Sequence, residues 1–347
     1  MSTLDWDDLR MMADAAERLV AKPEEAGWAT YAELGWLALP VDAAHGGLGG
    51  GLADLAVIMR AAGAALLPDP LISTLILGGG LVARMGSAEQ KDALLPAVAA
   101  GAVKLALAHA EREGGQDRRW VHATATRDGG SWRLNGAKTR VTDAPGADRI
   151  IVSARTDRGD TGLFLLRPAD AILHPYEAVD GRPMADLELR DCMAEQLGEG
   201  DACEAIDAVL DRACVATCLD AAGAMLAANA TTLDYLKTRR QFGTTLGSFQ
   251  VLQHRMADMV IAATRALAMA VAAAAALDRG EPNARRRVSA AKVAADSAGQ
   301  LVGEQAVQLH GGIGVTEEYR VGRYLKRLLM ARMSFGDTDW HLARLQG

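Results

Sequence analysis

TRRQFGTTLGSFQ, residues 238–250, interrupts a long helical pattern. Upstream, apolar residues recur at helical spacing from Cys203 to Arg239; downstream the pattern resumes at Ser248 and runs to about Asp278. The stretch therefore reads as a corner between two long helices. A third helix is expected from Asn283 to Leu309, stopped by His310-Gly311-Gly312, where glycine permits a left-handed exit. A fourth opens at Thr316-Glu317-Glu318 and carries Lys326 and Arg327 later, a charge order that suits the helix dipole. Four such helices form a bundle over residues 197–347.

Working outward, residues 105–196 change character. VHATATRDGGSWRLNGAKTRV (121–141) alternates apolar and polar residues around Asp128-Gly129-Gly130, and Asn135-Gly136 is a further tight-turn signal. Arg149–Arg155 and Leu163–Arg167 add strands on either side of the turn-rich TDRGDTG (156–162). An antiparallel β domain is expected here. Residues 1–104 are helical again, with helical spacing in Ala53–Leu67 and Thr74–Met85 and a capping box at Ser87–Gln90. PVDAAHGGLGGG (40–51) lacks the GK[ST] of a phosphate loop and reads as a flexible turn. The fold class is α+β: helical domain, central β domain, four-helix bundle.

Composition sets further bounds. At 347 residues the chain is long enough for two or three domains. Half its residues are hydrophobic and only 4% aromatic, which favours close packing of small side chains. Acids outnumber bases by 44 to 37, so nucleic acid is not the expected partner. The N-terminus lacks the basic head and apolar run of a secretion signal, and apolar stretches such as Ala263–Leu277 fall short of a membrane span. A cytoplasmic protein is expected. Cys214 and Cys218 share a helical face, but Cys192 and Cys203 complete no metal set, so core packing is the better reading and no metal is expected. His109, His254 and His310 sit beside no nucleophile motif and are read as structural.

The corner itself is rich in binding chemistry. Arginine presents a planar fork suited to phosphate, Phe242 a flat face, Gly243 close backbone approach and Gln250 a hydrogen-bonding amide. QLHGGIG (308–314) is a second glycine corner. RRQFG (239–243), FQVLQHRMADM (249–259) and QLHGGIG together resemble the C-terminal bundle of the acyl-CoA dehydrogenase family, and the domain order and length agree. LDYLKTRRQFG, GSFQVLQHR, RRRVSAAK and FGDTDWHLARL are most similar to its small-subunit branch, of the pimeloyl-CoA dehydrogenase type. The resemblance implies FAD at a subunit interface. Arg239, Phe242 and Gly243 would serve the pyrophosphate side, with Phe249 and Gln250 beside them, and Gln308, Gly311 and Gly312 the adenosine end. In the family these reach a neighbouring subunit's flavin, whereas Thr142 belongs to a flavin-contacting strand. An acyl-CoA substrate and an electron-transfer acceptor protein are implied as well.

Other family positions depart from the pattern. The glutamate that removes the α-proton in most members is matched by Phe335, before Gly336, and phenylalanine accepts no proton. Members that carry the base on the first bundle helix have a glutamate where DRACVATCLDAAG (211–223) offers only Asp211 and Asp220. A threonine-glutamate-proline segment is replaced by Ala110-Glu111-Arg112, a tryptophan by Arg140 and a threonine by Asp337. The expectation is a chain without a catalytic residue of its own, paired with a large subunit in a heterotetramer and completing that subunit's FAD site. The alternatives are a self-associating enzyme using Asp337, Asp339 or Asp220 as base, or a non-catalytic helical interaction module. Medium-chain dicarboxylyl-CoA, or a ring- or steroid-derived acyl-CoA, is the expected substrate.

Overall fold

The computed structural model describes residues 6–316 and 319–346. Helices α1 (Trp6–Ala21), α2 (Trp28–Glu33), α3 (Leu52–Ala65), α4 (Gly79–Met85) and α5 (Ala88–Ala99) make up the first domain. The capping box is present: the Gln90 amide donates to Ser87 Oγ and the Ser87 amide to Gln90 Oε1. The helix expected at Thr74–Met85 is instead a π-helical stretch, Ile72–Gly78, running directly into α4. Residues 40–51 are not a flexible turn. A Cβ on Gly47 would lie 2.0 Å from the Val41 carbonyl oxygen, so the loop is packed backbone against backbone. It delivers the start of α3 to Asp278, whose carboxylate accepts hydrogen bonds from the Leu52 and Ala53 amides. The anion at this helix N-terminus is the protein's own.

Seven strands follow: β1 (Leu105–Ala108), β2 (Thr124–Asp128), β3 (Ser131–Thr142), β4 (Arg149–Arg155), β5 (Thr161–Leu166), β6 (Ile172–Glu177) and β7 (Pro183–Gln196). Their order is β1-β4-β2-β3-β7-β5, with β6 on β7; β5 also pairs with β4, so the sheet curls back on itself. Most pairings are antiparallel, as expected, while β1 runs parallel to β4. Asn135-Gly136 is not a turn. It lies inside β3 at a register shift against β7, where Asn135 Oδ1 accepts the Asp191 amide. A Cβ on Gly136 would meet Ala123 Cα at 2.8 Å, so glycine here serves close strand approach.

The bundle comprises α6 (Cys203–Thr238), α7 (Gln250–Asp278), α8 (Ala284–His310) and α9 (Arg320–Met333), with a short α10 (Thr338–Gln346) closing against α8. The fourth helix thus starts at Arg320 rather than Thr316, and Glu317 and Glu318 lie outside the described residues. α6 and α7, at 36 and 29 residues, are long and apolar enough to cross a membrane, against the expectation that no stretch reached that length. Here they pack as bundle members, and the apolar window of α6 is 83% buried within the fold.

One apolar core, from Leu19 through Ile58, Leu81, Val215 and Ala263 to Leu328, runs through both helical domains. The β domain has a separate core around Leu134, Ile150, Phe164 and Leu187. α3 and α6 approach to backbone contact: a Cβ on Gly63 would stand 1.8 Å from the Asp220 carbonyl oxygen, and one on Gly223 1.9 Å from that of Arg60.

Candidate functional site

The residues singled out in the sequence fall into two places. The first is the end of the bundle where α6 stops, α7 starts and α8 stops. The corner at residues 239–249 is a hairpin, with Arg240 opposite Thr245 and Gln241 opposite Thr244. Its two-residue loop is Phe242-Gly243, at φ +55° and +80°. A two-residue hairpin with both central residues at positive φ suits glycine or asparagine, not a bulky aromatic. Phe242 is nevertheless 88% exposed, its ring touching only the edge of Phe249. Arg239 is exposed, and among the described residues its side chain has no partner.

The second corner is brought alongside by Tyr235, one turn before Arg239. Its ring stacks on His310 at 4.4 Å and its hydroxyl donates to the His310 carbonyl. Gln308, Gly311 and Gly312 are exposed there, and a Cβ on either glycine would meet nothing. Gln250 is exposed at the start of α7. Arg239, Phe242, Gly243, Phe249, Gln250, Gln308, Gly311 and Gly312 thus share one end of the bundle; Thr142 does not.

Thr142 lines the second place, a cavity of about 620 Å³ where the three domains meet. Phe335, Asp337, Arg140, Asp220 and Glu111 line it too, so the positions that depart from the family pattern converge. The segment 113–120 ties the β domain to the bundle beside it. Arg118 donates to Asp211 Oδ1 (2.8 Å) and to the Phe335 carbonyl (3.2 Å), and its guanidinium lies 4.5 Å above the Trp340 ring. Gln116 exchanges hydrogen bonds with Asp337, and Arg140 donates to the Gly115 carbonyl. Sequence reading missed Arg118, because its partners lie 93 and 217 residues away.

Of the aspartates near the expected base position, Asp211, Asp220 and Asp337 are occupied. Asp211 receives Arg118 and both Nη atoms of Arg344. Burial pushes its pKa up, but the Arg344 and Arg118 guanidiniums outweigh this and hold it below the usual carboxylate range. Asp220 is gripped by Arg327 in two parallel 2.8 Å bonds. Asp337 caps α10 by accepting the Trp340 amide, and that bond leads in lowering its pKa. Asp339 is exposed and does not line the cavity. Glu111 accepts the His122 and Ala123 amides and pairs with buried Lys138.

His109 and His310 are buried and bonded within the fold, while His254 is exposed on α7. His109 bridges Ser153 and the Arg118 carbonyl, and burial lowers its pKa to about 4. Burial also lowers that of His310. Cys214 and Cys218 are buried, as expected of core residues; the fold adds His341, 3.8 Å from the Cys214 sulfur. No cluster with metal-ligand geometry occurs among the described residues.

Three models of the acyl-CoA dehydrogenase, for the N-terminal, middle and C-terminal domains, match residues 8–102, 106–192 and 203–346. The chain belongs to the acyl-CoA dehydrogenase family. Acyl-CoA dehydrogenase FadE12 of Mycobacterium tuberculosis is 31% identical over 325 residues, covering 88% of this chain and 83% of the relative. Probable acyl-CoA dehydrogenase fadE25 of Mycobacterium bovis is 34% identical over 260 residues, 71% and 67% of the two chains. Among solved structures, the Tcur3481-Tcur3483 steroid ACAD is 32% identical with a TM-score of 0.83, covering 98% of this chain and 94% of that one. A glutaryl-coenzyme A dehydrogenase bound to glutaryl-CoA has a TM-score of 0.93 at 23% identity over 99% and 95%, a likeness of fold.

This acyl-CoA dehydrogenase is an oxidoreductase acting on acyl-CoA, and the family's members are FAD-binding flavoproteins. The bundle end fits the phosphate part of such a cofactor: an arginine with no partner among the described residues, an exposed aromatic face and glycines with open space above them.

Proposed function

We propose that this chain is the base-lacking subunit of a heteromeric acyl-CoA dehydrogenase and completes the FAD site of a larger partner subunit. The observation that carries this reading is the Phe242-Gly243 turn. A phenylalanine held at positive φ and 88% exposed costs conformational energy and hides no apolar surface, so its use lies outside the isolated chain. Arg239 beside it, without a partner among the described residues, supports the same conclusion, as do the exposed Val260 and Val271 on one side of α7.

Bound FAD supplies the hydride acceptor for α,β-dehydrogenation of the thioester. This chain's part would be to bind and orient: Arg239, Phe242 and Gly243, with Phe249 and Gln250 beside them, would hold the pyrophosphate side, and Gln308 with Gly311 and Gly312 the adenosine end. Phe335 stands where the base would be, and the carboxylates of Asp211, Asp220 and Asp337 are each held by hydrogen bonds, which favours proton removal by the partner. The likeness to a two-component steroid ACAD supports both the heteromeric assembly and a ring-derived acyl-CoA as substrate.

Co-purification with the product of the adjacent gene tests the reading through flavin stoichiometry. One FAD per pair of unlike chains is expected, and Arg239→Ala should weaken FAD retention by about tenfold or more, the scale of one charge-assisted hydrogen bond. A chain that purifies alone with one FAD per copy and is bleached by an acyl-CoA would overturn it.

A further inference from the structure

Two thiols on α6 play no part in the dehydrogenation chemistry. Cys214 and Cys218 lie one helical turn apart, both free and both fully buried. They hydrogen-bond each other, and this bond leads in lowering the pKa of Cys214 and in raising that of Cys218. His341 Nε2, 3.8 Å from the Cys214 sulfur, adds to the downward pull on that thiol. Of the pair, Cys214 is therefore the readier nucleophile, and burial keeps it inert.

What covers Cys214 is weakly held. His341 belongs to α10, a helix of nine residues, and is the one buried residue among those described there. Its ring reaches in between α6 and α8: Nδ1 meets Ser289 Oγ at 3.0 Å, and Nε2 donates to the Phe335 carbonyl at 3.2 Å. The helix is otherwise fastened largely by polar contacts. Arg344 pairs with Asp211, Arg286 donates to the Leu345 carbonyl and Thr338 donates to Asp296, while Leu342 is exposed. So short a helix is marginal without apolar packing, and elements with little buried apolar surface open before the whole fold does. Gly336, at φ +100°, supplies the joint: a Cβ there would lie 2.9 Å from His341 Nε2.

We propose that Cys214 is a site of thiol–disulfide exchange, uncovered when α10 swings away and closed to reagents when it docks. The ligand class is a small, soluble disulfide. The Cys214 thiolate attacks one sulfur of that disulfide, and a new S–S bond forms as the old one breaks. Cys214 is oxidised to a mixed disulfide; the departing half is reduced and leaves as a thiol, taking up the proton that Cys214 gave up. The added group then occupies the space of the His341 ring, so α10 cannot redock. Phe335 keeps Arg118 but loses His341 as a donor to its carbonyl. The state of one thiol thereby reaches residues 335–337, which line the cavity. None of this requires bound flavin or an unlike partner, so its failure and that of the subunit reading are distinguishable.

The test is incubation of the full chain with glutathione disulfide, followed over time by peptide mass spectrometry. Cys203, half-buried at the start of α6, serves as the reference for free access. Cys214 should react well ahead of Cys192, which is buried in the separate core of the β domain. Global unfolding would label those two together, because they are equivalent thiols in an unfolded chain. Arg344→Ala removes two charge-assisted bonds from α10 and should speed Cys214 by about tenfold or more, with a smaller effect on Cys192. Arg286→Ala, at an exposed position, should speed it less, and amide exchange over Thr338–Gln346 should rise once Cys214 is modified. Cys214 labelled no faster than Cys192, a Cys214 rate that neither substitution moves, or unchanged exchange in α10 after modification would overturn the proposal.

Discussion

Arg327 and Asp211 show how single charged residues hold this bundle. Both are buried and multiply bonded: Arg327 to Asp220, Asp180 and the Leu67 carbonyl, Asp211 to Arg118 and Arg344. Replacing Arg327 by Ala leaves Asp220 buried without its partner, and a loss of about 3–5 kcal/mol is expected in denaturant unfolding. Asp211 makes a pH prediction. Its folded pKa is depressed, so its contribution is present above the unfolded value of about 3.9 and is lost as pH falls through the folded value. Acid unfolding should therefore steepen below about pH 4, and Asp211→Asn should flatten that limb while lowering stability at pH 7. Phe335→Glu alone should not create a dehydrogenase: its backbone carbonyl is tied to Arg118 and His341, and Arg118 stands ready to pair with an added carboxylate. Turnover of an acyl-CoA by that variant in the absence of any partner would refute this.

At the level of elements, the elbow was legible because its chemistry is local. Arg239, Phe242 and Gly243 are consecutive or nearly so, and glycine marks the corner whatever the surroundings. The Ser87–Gln90 capping box was legible for the same reason. Asn135-Gly136 was misread as a turn because a glycine needed for close strand approach looks identical in sequence to one needed for chain reversal. The π-helical stretch and α10 carried no local signal distinguishing them from ordinary helix and tail. Contact between α3 and α6 gives a sharp expectation. Alanine at Gly223 would place a methyl group 1.9 Å from the Arg60 carbonyl oxygen, so the helices must separate. Gly223→Ala should destabilise by at least the roughly 1–3 kcal/mol typical of overpacking, read as a shifted denaturation midpoint with an unchanged slope.

For the molecule as a whole, the first 104 residues and the bundle read as separate helical domains, yet they share one apolar core. Tyr324 of α9 donates to the Ala64 carbonyl and Asp278 of α7 caps α3, so polar contacts join them as well. A fragment of residues 1–102 should accordingly fail to fold cooperatively by itself, as measured by circular dichroism on heating, and the two helical regions of the full chain should unfold in one transition. Independent, cooperative melting of that fragment would show the shared core to be dispensable. The cavity is likewise a property of the assembled molecule, since its lining comes from all three domains.

The sequence by itself determined the order helical, β, helical, the arginine-glycine corners and the lack of a glutamate before Gly336, because periodicity, turn chemistry and residue identity are encoded within a few neighbouring positions. Only the tertiary structure decided that the two corners meet across the Tyr235–His310 stack, that Arg118 reaches Asp211 and Phe335, and that Asp143 is buried against Ser73. Those facts depend on which charges are desolvated together, and burial is set by the packing of segments far apart in the chain.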